Sequence, residues 1–131
     1  MKQHTTNYFD TFIRVAEDCP ARIAEAPPAK EPPTAARIEY EMLTAHPYRY
    51  TSDDVVYETK GRPKGVSREA LFSKGQPCFR ASALAKRYGW GVHSDKDGKI
   101  AIYARESEDY RRLASQEGLR QLRAMGQGKR Q

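Results

Sequence analysis

The groups able to do chemistry crowd into one stretch, Cys78 to His93, reading CFRASALAKRYGWGVH. Cys78 could act as a nucleophile once ionised, and Arg80, Lys86 and Arg87 nearby would favour its thiolate. His93 could serve as an acid or base beside it. The opposite reading is a packed core thiol. Free cysteine is among the most buried residue types, and Pro77 and Phe79 bracket this one. The same stretch could instead hold an anion. Ser82 opens a short helix whose first N–H groups carry partial positive charge, with Arg80 before it and Lys86 and Arg87 at its end. A phosphate or carboxylate is what such a cluster would take. The competing account makes Ser82 a plain helix cap and leaves the cations solvated or ion-paired. Trp90 lies between Gly89 and Gly91, which would leave its ring faces open for stacking. A lone strand tryptophan can equally be core.

Other motifs fail on their own chemistry. His93, Asp95, Asp97, Gly98 and Ile100 follow the spacing of a calcium loop, but its first ligand would be His93 and its closing acid Ala104. Calcium needs oxygen ligands at both places. Cys19 and Cys78 stand far apart with no CxxC partner, which argues against structural zinc. Ser82 lacks a GxSxG setting, and no Walker loop or GxGxxG occurs. No metal and no cofactor is expected.

These groups need elements to hold them. Ser82 caps a helix over 83–88, and Gly89 suits its left-handed end. Residues 90–94 and 99–104 read as a hairpin turning at Asp97-Gly98, with Ile100 and Ile102 toward the core. Residues 8–16 alternate as a strand, and Phe12 on its polar face implies cover on both sides. Residues 20–33 hold five of the eight prolines and form a connector, extended or wrapped on the surface. Thr34 caps a helix to Ala45 with Ala35, Ile38, Met42 and Ala45 as its apolar stripe, Glu39 and Glu41 facing out. Residues 54–59 read as a strand, 60–65 as a basic loop, and Ser67 caps a helix to Ser73. Ser107 starts a last helix that breaks near 116–118 and resumes with Leu119, Leu122 and Met125, leaving 126–131 frayed.

A chain of 131 residues suits one domain, 1–131, around one core. Charge comes in blocks. Residues 1–59 have six Lys/Arg against ten Asp/Glu, 60–93 eight against one, and 111–131 six against one. The basic blocks could attract an anionic partner, nucleic acid included, or simply pair with the acidic first half. No apolar run approaches the ~18 residues of a membrane helix, so no membrane contact is expected. Two thiols and no signal-peptide core point to the cytoplasm. Oligomeric state is not legible in these residues.

The segments HTTNYFDTFIRVAEDCP, EYEMLTAHPYRYTSDDV and FSKGQPCFRASALAKRYGWGVHSDKDGKIAIYARESEDY resemble a family of small bacterial proteins of unknown function. GQPCFRAS and KRYGWGVH are the most distinctive strings, and the region around 60–68 is shorter than the resemblance implies. It implies a bacterial cytosolic origin and carries over no catalytic residue.

The expected fold is α+β, a small, mainly antiparallel sheet with three or four helices packed on one face. The expected function is a binding module for a phosphate- or carboxylate-bearing ligand, using Arg80, Ser82, Lys86, Arg87, Trp90 and His93. The alternatives are an enzyme using Cys78 or His93 and, less favoured, a nucleic-acid-binding protein.

Overall fold

Phe12 and Ile13 are neighbours in one strand, yet they are 0% and 1% exposed. Successive strand side chains point to opposite faces, so this strand lies inside a sheet covered on both sides. The computed structural model describes residues 3–126. Four strands, β1 (Thr11–Arg14), β2 (Trp90–Ser94), β3 (Ile100–Ala104) and β4 (Arg120–Arg123), lie in the order β3-β2-β1-β4. The β1–β2 and β2–β3 pairings are antiparallel and β4 runs parallel to β1. With its helices this is an α+β fold.

Helix α1 (Ala35–Ala45) begins where Thr34 caps it, its hydroxyl accepting from the Arg37 N–H, and ends at His46 before Pro47. Its buried residues are Ala36, Glu39 and Leu43. That corrects the expected stripe. Ile38 and Met42 are only half-buried, and Glu39, expected outside, is inside.

Residues 54–59 are not a strand. Thr51 and Asp54 cap each other reciprocally, side chain to backbone N–H, and start α2 (Ser52–Val56). The chain continues through a π-helical turn, Tyr57–Gly61, and a 3-10 turn, Arg62–Lys64, so the expected basic loop is helical as well. Val55 and Val56 are buried against the core, and tertiary packing here overrides their strand preference. Helices α3 (Arg68–Leu71) and α4 (Ala83–Lys86) start at the caps Ser67 and Ser82, as read from sequence but shorter.

Helix α5 (Glu108–Ala114) starts at Ser107 and stops before Gly118, at φ 82°. The next element is β4 and not more helix. Its backbone ladder satisfies the open edge of β1 from Arg120–Asp10 to Ala124–Arg14. The tail expected from 126 onward lies, apart from Gly126, outside the described residues.

Ile13, Val92 and Ile100 meet Leu43, Val55, Val56, Phe72 and Leu84 from α1 to α4 in the main core. On the other face Phe12 meets Leu113 and Leu119, with Tyr103 and Tyr110 at the margin. The helical layer on one face is thus present, and α5 covers the second. Residues 20–33 form no regular element and are strapped down. The carbonyls of Ala21, Glu25 and Pro27 accept from Arg105, the Trp90 indole and Arg37.

The hairpin turn is held by Asp95, whose carboxylate accepts from the Asp97 and Lys99 N–H groups at 2.9 Å each. Gly98 has φ +81°, and a Cβ there would meet the Phe9 ring at 3.0 Å. Gly98→Val is expected to lower stability by roughly 1 kcal/mol or more, read from the urea midpoint at unchanged slope.

Candidate functional site

The cluster from Cys78 to His93 does not converge on one point. Arg80 ties its loop to the end of β4. Its Nε donates to the Arg123 carbonyl at 2.8 Å, and its own carbonyl accepts from the Met125 N–H at 2.8 Å. Ser82 Oγ accepts from the Leu84 N–H at 3.0 Å and donates to Glu39 Oε1 at 2.8 Å. A carboxylate of the chain itself therefore lies where a bound anion was expected. Lys86 closes α4 and Arg87 stands exposed just after it. Trp90 packs edge to face with Tyr40, ring centroids 5.6 Å apart, and donates to the Glu25 carbonyl at 2.8 Å, so the indole anchors the proline-rich segment. The space beside Gly91 is filled by the rings of Phe12 and Tyr110.

His93 sits opposite Phe12 in the β1–β2 register, on the sheet face away from α4. Its Nδ1 is 2.6 Å from the Tyr48 hydroxyl, which is 2.7 Å from that of Tyr103. Burial pushes the His93 pKa below its usual value, with Asp95 and Asp10 opposing and Arg112 assisting. Burial, then the Tyr103 contact, pushes Tyr48 well above the ordinary phenol. Cys78 lies on the helical side, 3.2 Å from the Tyr8 hydroxyl. The thiol and the imidazole are not a pair.

Concave sites do form among the described residues, and two of them hold charged groups. The smaller is a cleft of about 50 Å³ lined by Glu39, Val56, Thr59, Lys60, Pro77, Cys78, Phe79, Ala81 and Ser82. Glu39 is its unusual member, a carboxyl only 7% exposed. Burial raises its pKa to about 7, and the Ser82 hydroxyl and the Lys60 charge only partly counter this. A group titrating near neutrality can both hold and take a proton there.

The larger site is a groove of about 700 Å³ lined by Ile38, Met42, Tyr50, Asp54, Tyr57, Glu58, Arg62 and Arg68. That is the size of small-molecule pockets, which span roughly 300–1,000 Å³. Its floor is the α1 face that the sequence reading assigned to the core. Two guanidiniums stand at the rim. Arg68 meets Asp54 at 2.9 Å and lies 5.8 Å over the Phe72 ring, and Arg62 meets Glu58 at 2.9 Å and lies 5.4 Å over Tyr57. Their side chains remain 50% and 66% exposed. Partial burial opposes ionisation of Asp54, but the Thr51 N–H and Arg68 outweigh it and hold this carboxyl below its usual range. The π-helical turn sets Tyr57 and Glu58 into the groove, and such turns recur at functional sites.

Sequence reasoning missed Glu39 and the whole groove. The Thr51-x-x-Asp54 capping box was the readable signal for α2, which continues into the turns that carry Tyr57, Glu58 and Arg62. No curated protein and no solved structure matches the chain. A family model does match, over residues 3–130, and by that match the chain belongs to DUF6157, a family of unknown function.

Proposed function

We propose that the protein is a binding module for a small ligand that carries a phosphate or carboxylate on an apolar or aromatic body. The ligand sits in the groove formed by α1, α2, the turns after it and α3. The observation that carries this reading is the pairing of an apolar floor with two half-exposed guanidiniums, whose resting partners, Glu58 and Asp54, an incoming anion would share or displace. Ile38, Met42, Tyr50 and Tyr57 offer the body contact area, and Arg62 and Arg68 offer forked donors. Both arginines already lie over aromatic rings, which limits the rotamer freedom they lose on binding. This reading puts the anion at the 62–68 segment in preference to the Arg80 to Arg87 stretch, where the Ser82 hydroxyl already donates to Glu39. The setting in this reading is the bacterial cytoplasm. The likeness of GQPCFRAS and KRYGWGVH to small bacterial proteins supports it, as do the two free cysteines. Among the described residues no helix is long and apolar enough to cross a membrane.

Phenyl phosphate is the simplest probe, since it has both parts. Calorimetric titration should show saturable binding, with inorganic phosphate and phenol each weaker. Arg62→Ala with Arg68→Ala should weaken it tenfold or more, about 1.4 kcal/mol. Equal affinity in the double variant would show that the anion is held elsewhere.

A further inference from the structure

The small cleft carries a second inference, independent of the groove, with which it shares no lining residue. We infer that Ser82 and Glu39 form a nucleophile–base pair that hydrolyses short activated acyl groups, esters or thioesters, with Lys60 as the cation facing the oxyanion. Three observations support it. Ser82 Oγ donates to Glu39 Oε1 at 2.8 Å, within the range at which a base takes a hydroxyl proton. Both residues line a cleft together with Lys60 and Thr59, so the pair faces a space and is not sealed in packing. The Leu84 N–H bond to the same Oγ fixes the rotamer of Ser82. The setting is the start of α4 and not the nucleophile elbow that the GxSxG motif marks, so no motif search would find it.

Ser82 Oγ attacks the acyl carbon, forming the Oγ–C bond, and its proton passes to the Glu39 carboxylate. The carbonyl electrons move to oxygen, opposite the Lys60 ammonium. Collapse breaks the bond from carbon to the alcohol or thiol, which leaves with the proton from Glu39. Water then attacks the acyl-serine and gives one proton to Glu39. The carboxylic acid departs and the proton returns to Ser82. The cleft, at about 50 Å³, is less than two water shares of roughly 30 Å³ each, so the acyl group is acetyl-sized. Glu39 must be ionised to act. The groups facing it are Ser82 from α4, Lys60 from the π-helical turn and Cys78 from the loop before α4, so the rate should rise with pH and level off above about 7.

The experiment uses p-nitrophenyl acetate with the full chain. The expected result is a burst of p-nitrophenolate with one acetyl adduct, mapped by peptide mass spectrometry to Ser82. Glu39→Gln keeps an acceptor for the Ser82 hydroxyl, and Ser82→Asn keeps a helix cap. Each should abolish the burst, with folding checked by thermal melting. The adduct in the wild-type chain is a readout that no misfolded variant can confuse. Acetylation at Cys78 or Lys60, no adduct at all, or a burst surviving in folded Glu39→Gln would each overturn the assignment.

Discussion

Gly91→Ala is expected to lower the unfolding free energy by about 3 kcal/mol, at the upper end of what overpacking a core usually costs. A Cβ at that position would stand 2.6 Å from Phe12 Cζ and 2.6 Å from Tyr110 Cε2. Neither ring can move away cheaply. Phe12 is wholly buried, and the two rings are locked edge to face with centroids 5.1 Å apart. The Tyr110 hydroxyl also accepts from the Val15 N–H at 2.9 Å, so shifting that ring breaks a bond to the strand beside it. Urea unfolding should show a lower midpoint at unchanged slope. Adding Phe12→Leu should recover part of the loss, since it returns volume next to the new methyl. A loss under about 0.5 kcal/mol, the level of ordinary surface changes, would mean that α5 does not seat on β2 as described.

Glu39→Gln is expected to stabilise the protein in alkaline solution and do nothing in acid. The folded carboxyl titrates near 7 and an unfolded one near 4.5. Between those values the folded state holds a proton that the unfolded state has released. Raising the pH through this window therefore costs the wild type stability, at about 1.4 kcal/mol per unit. Below 4.5 both states are protonated and the term vanishes; above 7 it is complete. The neutral amide escapes it while keeping an acceptor for the Ser82 hydroxyl. At pH 8 the variant should thus be more stable by about 3 kcal/mol, with the difference fading toward pH 4. Melting curves of both chains across that range measure it. A constant difference at every pH would place Glu39 in a solvated setting.

How legible this architecture is in the sequence depends on whether an element is specified locally. Thr34, Ser67, Ser82 and Ser107 each satisfy backbone donors within three residues, so the helix starts were readable. Gly98 marks its turn for the same reason. Strand β4 was not readable. Arg120 to Arg123 are few and polar apart from Leu122, and their partner strand lies more than a hundred residues earlier. The second half of α5 was expected there because Leu119 and Leu122 are three apart, a spacing that also fits a strand with Leu119 just outside it. Residues 52–64 misled through Val55, Val56 and Tyr57, which favour strands, although the capping box before them was present.

The candidate sites were less legible still. Glu39 lies one helical position from a plausible exposed face, and it is buried by what packs there from far along the chain, the π-helical turn and the segment leading into α4. The groove joins residues from six segments, α1, the Tyr50 loop, α2, the two turns after it and α3, so spacing along the chain does not show that they meet. Cys78 and His93 were drawn together by nearness in sequence. Strand alternation sends His93 to the face of Phe12, away from the helical side where the Cys78 loop lies.

The most direct test of the central claim is to titrate phenyl phosphate into ¹⁵N-labelled protein and follow the backbone amides. The account predicts saturable shifts concentrated at Ile38, Met42, Tyr50, Tyr57, Arg62 and Arg68, the residues that line the groove. Shifts centred instead on Arg80, Ser82 and Arg87, or none at millimolar ligand, would contradict it.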